Sequence, residues 1–153
     1  MAGDSLPAFL IEKLREELGR YRERGFLKAV LAASALCALA DDEISIEERY
    51  QVDSILAADP ALSRFDGAKA AAIFDDYARA LREEPLRARD VLMQKVERLR
   101  DHDPKQARTA MRAAWLVVTA NDVVTPAEDA MFYQLCTAVG LDPDVVRRGA
   151  GVA

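Results

Sequence analysis

The chain's densest side-chain chemistry lies in two short stretches that match in register. Residues 40–48 read Ala-Asp-Asp-Glu-Ile-Ser-Ile-Glu-Glu, and residues 120–128 read Ala-Asn-Asp-Val-Val-Thr-Pro-Ala-Glu. Ala40, Asp42 and Glu48 match Ala120, Asp122 and Glu128, and Ser45 matches Thr125. Ser45-x-x-Glu48 and Thr125-x-x-Glu128 have the spacing of a capping box. There the hydroxyl accepts the N–H of the third helical residue, and the Glu side chain reaches back to the cap N–H. Capping accounts for the hydroxyl and the Glu, but not for the aspartates. Asp41 and Asp42 follow an apolar helix, at the end where the helix dipole disfavours carboxylates, and Glu43 and Glu47 add charge of the same sign. A hard cation such as Ca²⁺ or Mg²⁺, which takes carboxylate and backbone oxygens, would make sense of that cluster. An exposed acidic turn screened by water is the competing reading. The loop is not an EF-hand, because counting from Asp41 the twelfth position is Val52 rather than the bidentate Glu. The second turn offers only Asn121, Asp122 and Glu128, so a separate site there is expected to be weaker.

Catalytic alternatives are thin. His102 is the only histidine and lies in a charged loop, and neither Cys37 nor Cys136 has a sequence-local base. Gly-rich phosphate loops are absent. Asp75-Asp76 reads as a solvated helix face. The two cysteines, isolated in helical patterns, make neither a disulfide framework nor a zinc site; buried free thiols are expected. The chain is therefore expected not to be an enzyme.

Helices must position the two turns. With 153 residues the chain is read as one domain, 1–153, with a sizeable core; 51% of its residues are apolar and 31% charged. The flanks of the turns agree as well, Ala33 with Ala113, Leu36 with Leu116 and Ile55 with Leu135, which suggests an internal duplication of about 26–56 and 106–136. Residues 26–40 are apolar nearly all round, as in a buried central helix. The uncharged run 29–40 falls short of the ~20 residues needed to span a membrane. Leu10, Leu14, Leu18 and Tyr21 mark an amphipathic N-terminal helix, expected to pack on the domain and to end at Gly25. A helix from Ile46 to about Leu56 points Val52, Ile55 and Leu56 inward. Leu62 and Phe65 then cover the core, and Asp66 caps a helix with Ala70, Ile73, Phe74, Tyr77 and Leu81 on one face. Pro85 breaks the chain before a helix bearing Ala88, Val91, Leu92, Val96 and Leu99. Asp103-Pro104 opens a helix to Ala120, Thr125-Pro126 opens the next, and Gly140 stands where a C-cap glycine belongs. The N-terminus shows no charged region followed by an apolar core, so no signal peptide is expected. The net charge of −5 does not point to nucleic acid.

The whole pattern resembles the TerB tellurite-resistance family. The resemblance runs from Gly19-Arg20-Tyr21-Arg22 and Phe26 to Gly140-Leu141-Asp142-Pro143, and rests on two turns close to Ala-x-Asp-Gly-x-Ile-Ser-x-x-Glu. It implies an all-α fold, a single compact domain of about seven helices with two pseudo-symmetric helix–turn–helix halves. It implies a cytoplasmic protein, peripheral to the inner membrane, working with other tellurite-resistance or stress-response proteins. It also implies divalent-metal binding by Asp42, Glu48, Asp122 and Glu128, to which the acidic first turn adds Asp41. The chain departs from the family turn at Glu43 and Val123, which replace its glycines. A non-catalytic metal-binding module is the first expectation, and a metal-free helical scaffold or interaction domain whose turns are caps is the alternative.

Overall fold

The computed structural model of the chain describes residues 8, 9, 12, 24–41, 44–58, 67–101, 104–120 and 123–149. Seven α-helices and no strands are found among them. They are α1 (Arg24–Ala38), α2 (Ile46–Ala58), α3 (Gly67–Glu83), α4 (Pro85–Glu97), α5 (Pro104–Val118), α6 (Pro126–Ala138) and α7 (Pro143–Gly149), with a 3₁₀ turn, Arg98–Asp101, after α4. The expected all-α architecture is the observed one.

The apolar composition of α1 places it at the centre. Phe26, Leu27, Val30, Leu31, Leu36 and Cys37 are all buried, as are Ala29, Ala32, Ala33 and Ala35. Helix α5 packs along it, and α3, α4 and α6 close around the remainder. Small residues on both partners, with Ala107, Ala110, Ala113 and Ala114 also buried on α5, let the two backbones approach closely. The outer helices are amphipathic in the expected way. On α3 the buried positions are Ala70, Phe74, Ala78 and Leu81; on α4 they are Ala88, Leu92 and Val96, followed by Leu99 in the 3₁₀ turn. Both series step by three or four, one stripe of a 3.6-residue helix.

Four local expectations are adjusted. Gly25 lies inside the first turn of α1 rather than breaking the chain before it. Both turn-bearing helices stop two residues short of Ala40 and Ala120, because their last turns tighten. Ala40 N donates to Cys37 O at 3.3 Å and Ala120 N to Val117 O at 3.2 Å, i→i+3 bonds in place of i→i+4. Pro85 is the first residue of α4, where its missing N–H costs nothing, and Val91 faces solvent. At the end of α6, Gly140 has φ +78°, and Leu141 N donates to Cys136 O at 2.8 Å while Gly140 N donates to Thr137 O at 3.0 Å. That pair of bonds is a Schellman cap, and the left-handed residue it needs is the expected glycine. Leu10, Leu14, Leu18, Tyr21, Leu62, Phe65, Asp66 and His102, and the side chains of Ile55 and Leu56, lie outside the described residues.

Candidate functional site

Each turn closes its helix start as the spacing predicts. Ser45 N donates to Glu48 Oε1 at 2.9 Å, and Glu48 N donates to Ser45 Oγ at 3.0 Å. In the second turn Thr125 N donates to Glu128 Oε1 at 3.0 Å and Glu128 N to Thr125 Oγ1 at 3.1 Å. Val123, which stands at a family glycine, is exposed, and the capping box two residues on is complete. Asp41 is an exposed turn residue; Asp42, Glu43 and Asp122 lie outside the described residues.

Both cap glutamates are buried at 2% exposure, far below what an N-terminal surface cap requires. They are buried together, the Glu48 carboxyl lying against that of Glu128. Capping occupies Glu48 Oε1. Its Oε2 is buried, and the two carboxyls lie within hydrogen-bonding reach of each other, so that a proton held by one can bridge the pair. Burial first, then the neighbouring Glu128 carboxyl, pushes Glu48 up to about 8, against the opposing bonds from Ser45. Gln51, one turn further along α2, is also buried, and its amide nitrogen has no partner.

The thiols belong to the same neighbourhood. Burial raises Cys37 well above the ordinary thiol range, and Cys136, Glu128 and Glu48 raise it further. Burial pushes Cys136 up to about 12. Both are free, and both are held as neutral thiols, which are poor nucleophiles and poor metal ligands. Sequence reasoning treated the cysteines and the turns as unrelated. No sequence signal joins them, because Cys37 matches Val117 in the duplicated register, and only packing brings Cys136 to it.

Two buried carboxyls thus meet where the helices dock. Yet among the described residues no group of three or more His, Cys, Asp or Glu side chains could hold a metal ion.

Beside the second turn, Arg147 of α7 is pinned from four sides. It pairs with Asp129 at 2.5 Å and Asp144 at 2.8 Å, and its guanidinium lies 4.9 Å from the Trp115 ring centre and 5.3 Å from that of Phe132. On the first half, Arg49 pairs with Asp75 and, at 3.4 Å, with Asp53, and stacks over Phe74 at 5.4 Å. In each half an arginine thus ties the helix that follows the turn to its neighbour. Asp75 is therefore part of a bridge, whereas Asp76, paired with Arg79 at 3.3 Å, stays on an exposed face.

Comparison with known proteins agrees with this architecture. A curated relative, "Tellurium resistance protein TerB" from Alcaligenes sp, is 27% identical over 101 residues, 66% of this chain and 82% of the relative. No solved structure matches. The family described as "Tellurite resistance protein TerB" matches residues 27–149, which spans α1 to α7 and both capped turns, and the chain belongs to that family.

Proposed function

We propose that this chain is a non-catalytic, divalent-cation-binding module of a tellurite-resistance system, acting through partner proteins. One observation carries the reading: the buried approach of the Glu48 and Glu128 carboxyls. Like charges in a low-dielectric interior repel strongly unless a proton or a cation lies between them. The two turns then build one site, not a strong site and a weak one. Each glutamate keeps one oxygen on its cap and lends the other to the ion, so capping and ligation coexist. Asp41, Asp42 and Asp122, neighbours of the caps in sequence, add negative charge, and Ca²⁺ or Mg²⁺ is the ion expected of an all-oxygen site. The neutral, buried thiols support a role without nucleophilic chemistry. No helix among the described residues is long and apolar enough to cross a membrane, and action in the cytoplasm, at the inner membrane face, is part of the proposal.

The completeness of both capping boxes favours a second reading, a metal-free scaffold in which the glutamates serve structure alone. Calorimetric titration of chelator-treated protein with Ca²⁺ and then Mg²⁺ separates the two. One ion per chain supports the shared site, two ions of unequal affinity indicate separate turns, and absence of binding by either ion leaves the scaffold.

A further inference from the structure

The far end of α1 holds a second feature. A cavity of about 100 Å³ is lined by Phe26 and Lys28 of α1, Lys95 of α4, Arg98 and Leu99 of the 3₁₀ turn, and Gln106 of α5, closed by the backbone at Gly25. Phe26 and Leu99 are buried and form an apolar floor; Lys28, Lys95 and Gln106 are half-buried and Arg98 exposed around it. Among the described residues three cations and an amide line this cavity, and no carboxylate does. None of the three cations forms an ion pair with another described residue. In a chain with 26 acidic and 21 basic residues, that segregation is not a matter of composition.

Helix electrostatics explain only part of it. Lys95 and Arg98 lie at the C-terminal end of α4 and in the turn after it, where the helix dipole favours cations. Lys28 is placed the other way, one turn into α1 near its positive end, and faces two like charges besides. An anion bound between the three relieves both conflicts. The donors are of the kinds that recognise oxygen-rich anions: a planar guanidinium fork, two ammonium groups and a primary amide. The volume admits a single tetrahedral or pyramidal oxyanion.

We propose that this cavity is a binding site for a small, multiply charged oxyanion of the phosphate or tellurite type, held by Lys28, Lys95, Arg98 and Gln106. It lies toward the opposite end of α1 from Cys37, which neighbours the glutamate pair, and does not depend on cation binding there.

The test is titration of the ¹⁵N-labelled full chain with inorganic phosphate, tellurite and sulfate, each against chloride at matched ionic strength, followed by amide shifts and thermal melts. Saturable shifts confined to 25–28, 95–99 and 106 are expected, with a raised melting midpoint for the oxyanions only. Lys28→Gln and Arg98→Gln should each weaken binding roughly tenfold, the loss of one charge-assisted bond. Arg82→Gln, an exposed cation elsewhere, should leave it unchanged. Glu48→Gln should also leave it unchanged, which keeps this outcome separate from that of the cation site. Tighter binding of tellurite would tie the cavity to resistance chemistry, and tighter binding of phosphate would tie it to a phosphorylated ligand; either ranking supports the site. Equal effects of chloride at the same ionic strength, or undiminished binding by the Lys28→Gln, Arg98→Gln double variant, would overturn it.

Discussion

Glu48 carries two tasks on two oxygens. Oε1 accepts the Ser45 N–H, while Oε2 is buried in the carboxyl that meets Glu128, where either a shared proton or a cation can lie between the two. In the absence of a cation the carboxyl keeps its proton up to about pH 8, against a usual value near 4.5. The folded state then binds more protons than the unfolded one between those limits, so stability falls as pH rises. Melts of chelated protein should therefore show full stability near pH 4.5 and a decline toward pH 8, with no such decline in Glu48→Gln. A flat wild-type profile would contradict the buried carboxyl pair. The Ser-x-x-Glu and Thr-x-x-Glu spacings made each cap legible, because a capping box is local to four residues. That the two glutamates meet was not legible, since it depends on how α2 and α6 dock on α1 and α5. For the same reason Cys37 and Cys136 read as unrelated thiols.

At the scale of elements, proline and glycine punctuation carried the reading. Pro104 and Pro126 begin helices where expected, and Gly140 caps α6 with φ +78°. Gly140→Ala places a Cβ in the left-handed region and should cost about 1 kcal/mol in denaturant melts; no loss would mean that the cap relaxes without glycine. Helix ends were less legible. The apolar pattern runs unbroken through Ala40 and Ala120, and only the tightened last turn stops each helix two residues earlier. Val91 shows the limit of stripe reading, since it borders the apolar face of α4 and is 44% exposed. Helices α1 and α5, which carry the matched positions of the duplication, pack against each other at the centre. Leu36 and Leu116 are 2% and 1% exposed, so truncating either to Ala should cost about 2–5 kcal/mol. A loss under ~1 kcal/mol, typical of surface changes, would remove these helices from the centre.

Across the whole molecule, α1 joins two ends of opposite character, a cationic cavity at its start and acidic turns beyond its finish. Helix α7 covers one flank of α5 and carries Arg147, which pairs with Asp129 of α6 and lies over Trp115 of α5. Arg147→Ala should raise hydrogen exchange across 143–149 and alter Trp115 fluorescence, with a loss of about 1 kcal/mol. Unchanged exchange there would show that Pro143 and Val146, both buried, hold the helix alone. The central claim, that both turns hold one cation between Glu48 and Glu128, is tested most directly by thermal melts with chelator, Ca²⁺ and Mg²⁺ on wild type, Glu48→Gln and Glu128→Gln. A glutamine still accepts the cap N–H but removes a charged ligand, so in chelator both variants should melt near wild type at acid pH and no lower than wild type at neutral pH. Wild type should gain ~2.7 kcal/mol at cation 100-fold above its dissociation constant, roughly 5–10 °C in midpoint. Neither variant should gain it. Identical wild-type midpoints with and without saturating cation, or a full gain retained by either variant, would contradict the shared site.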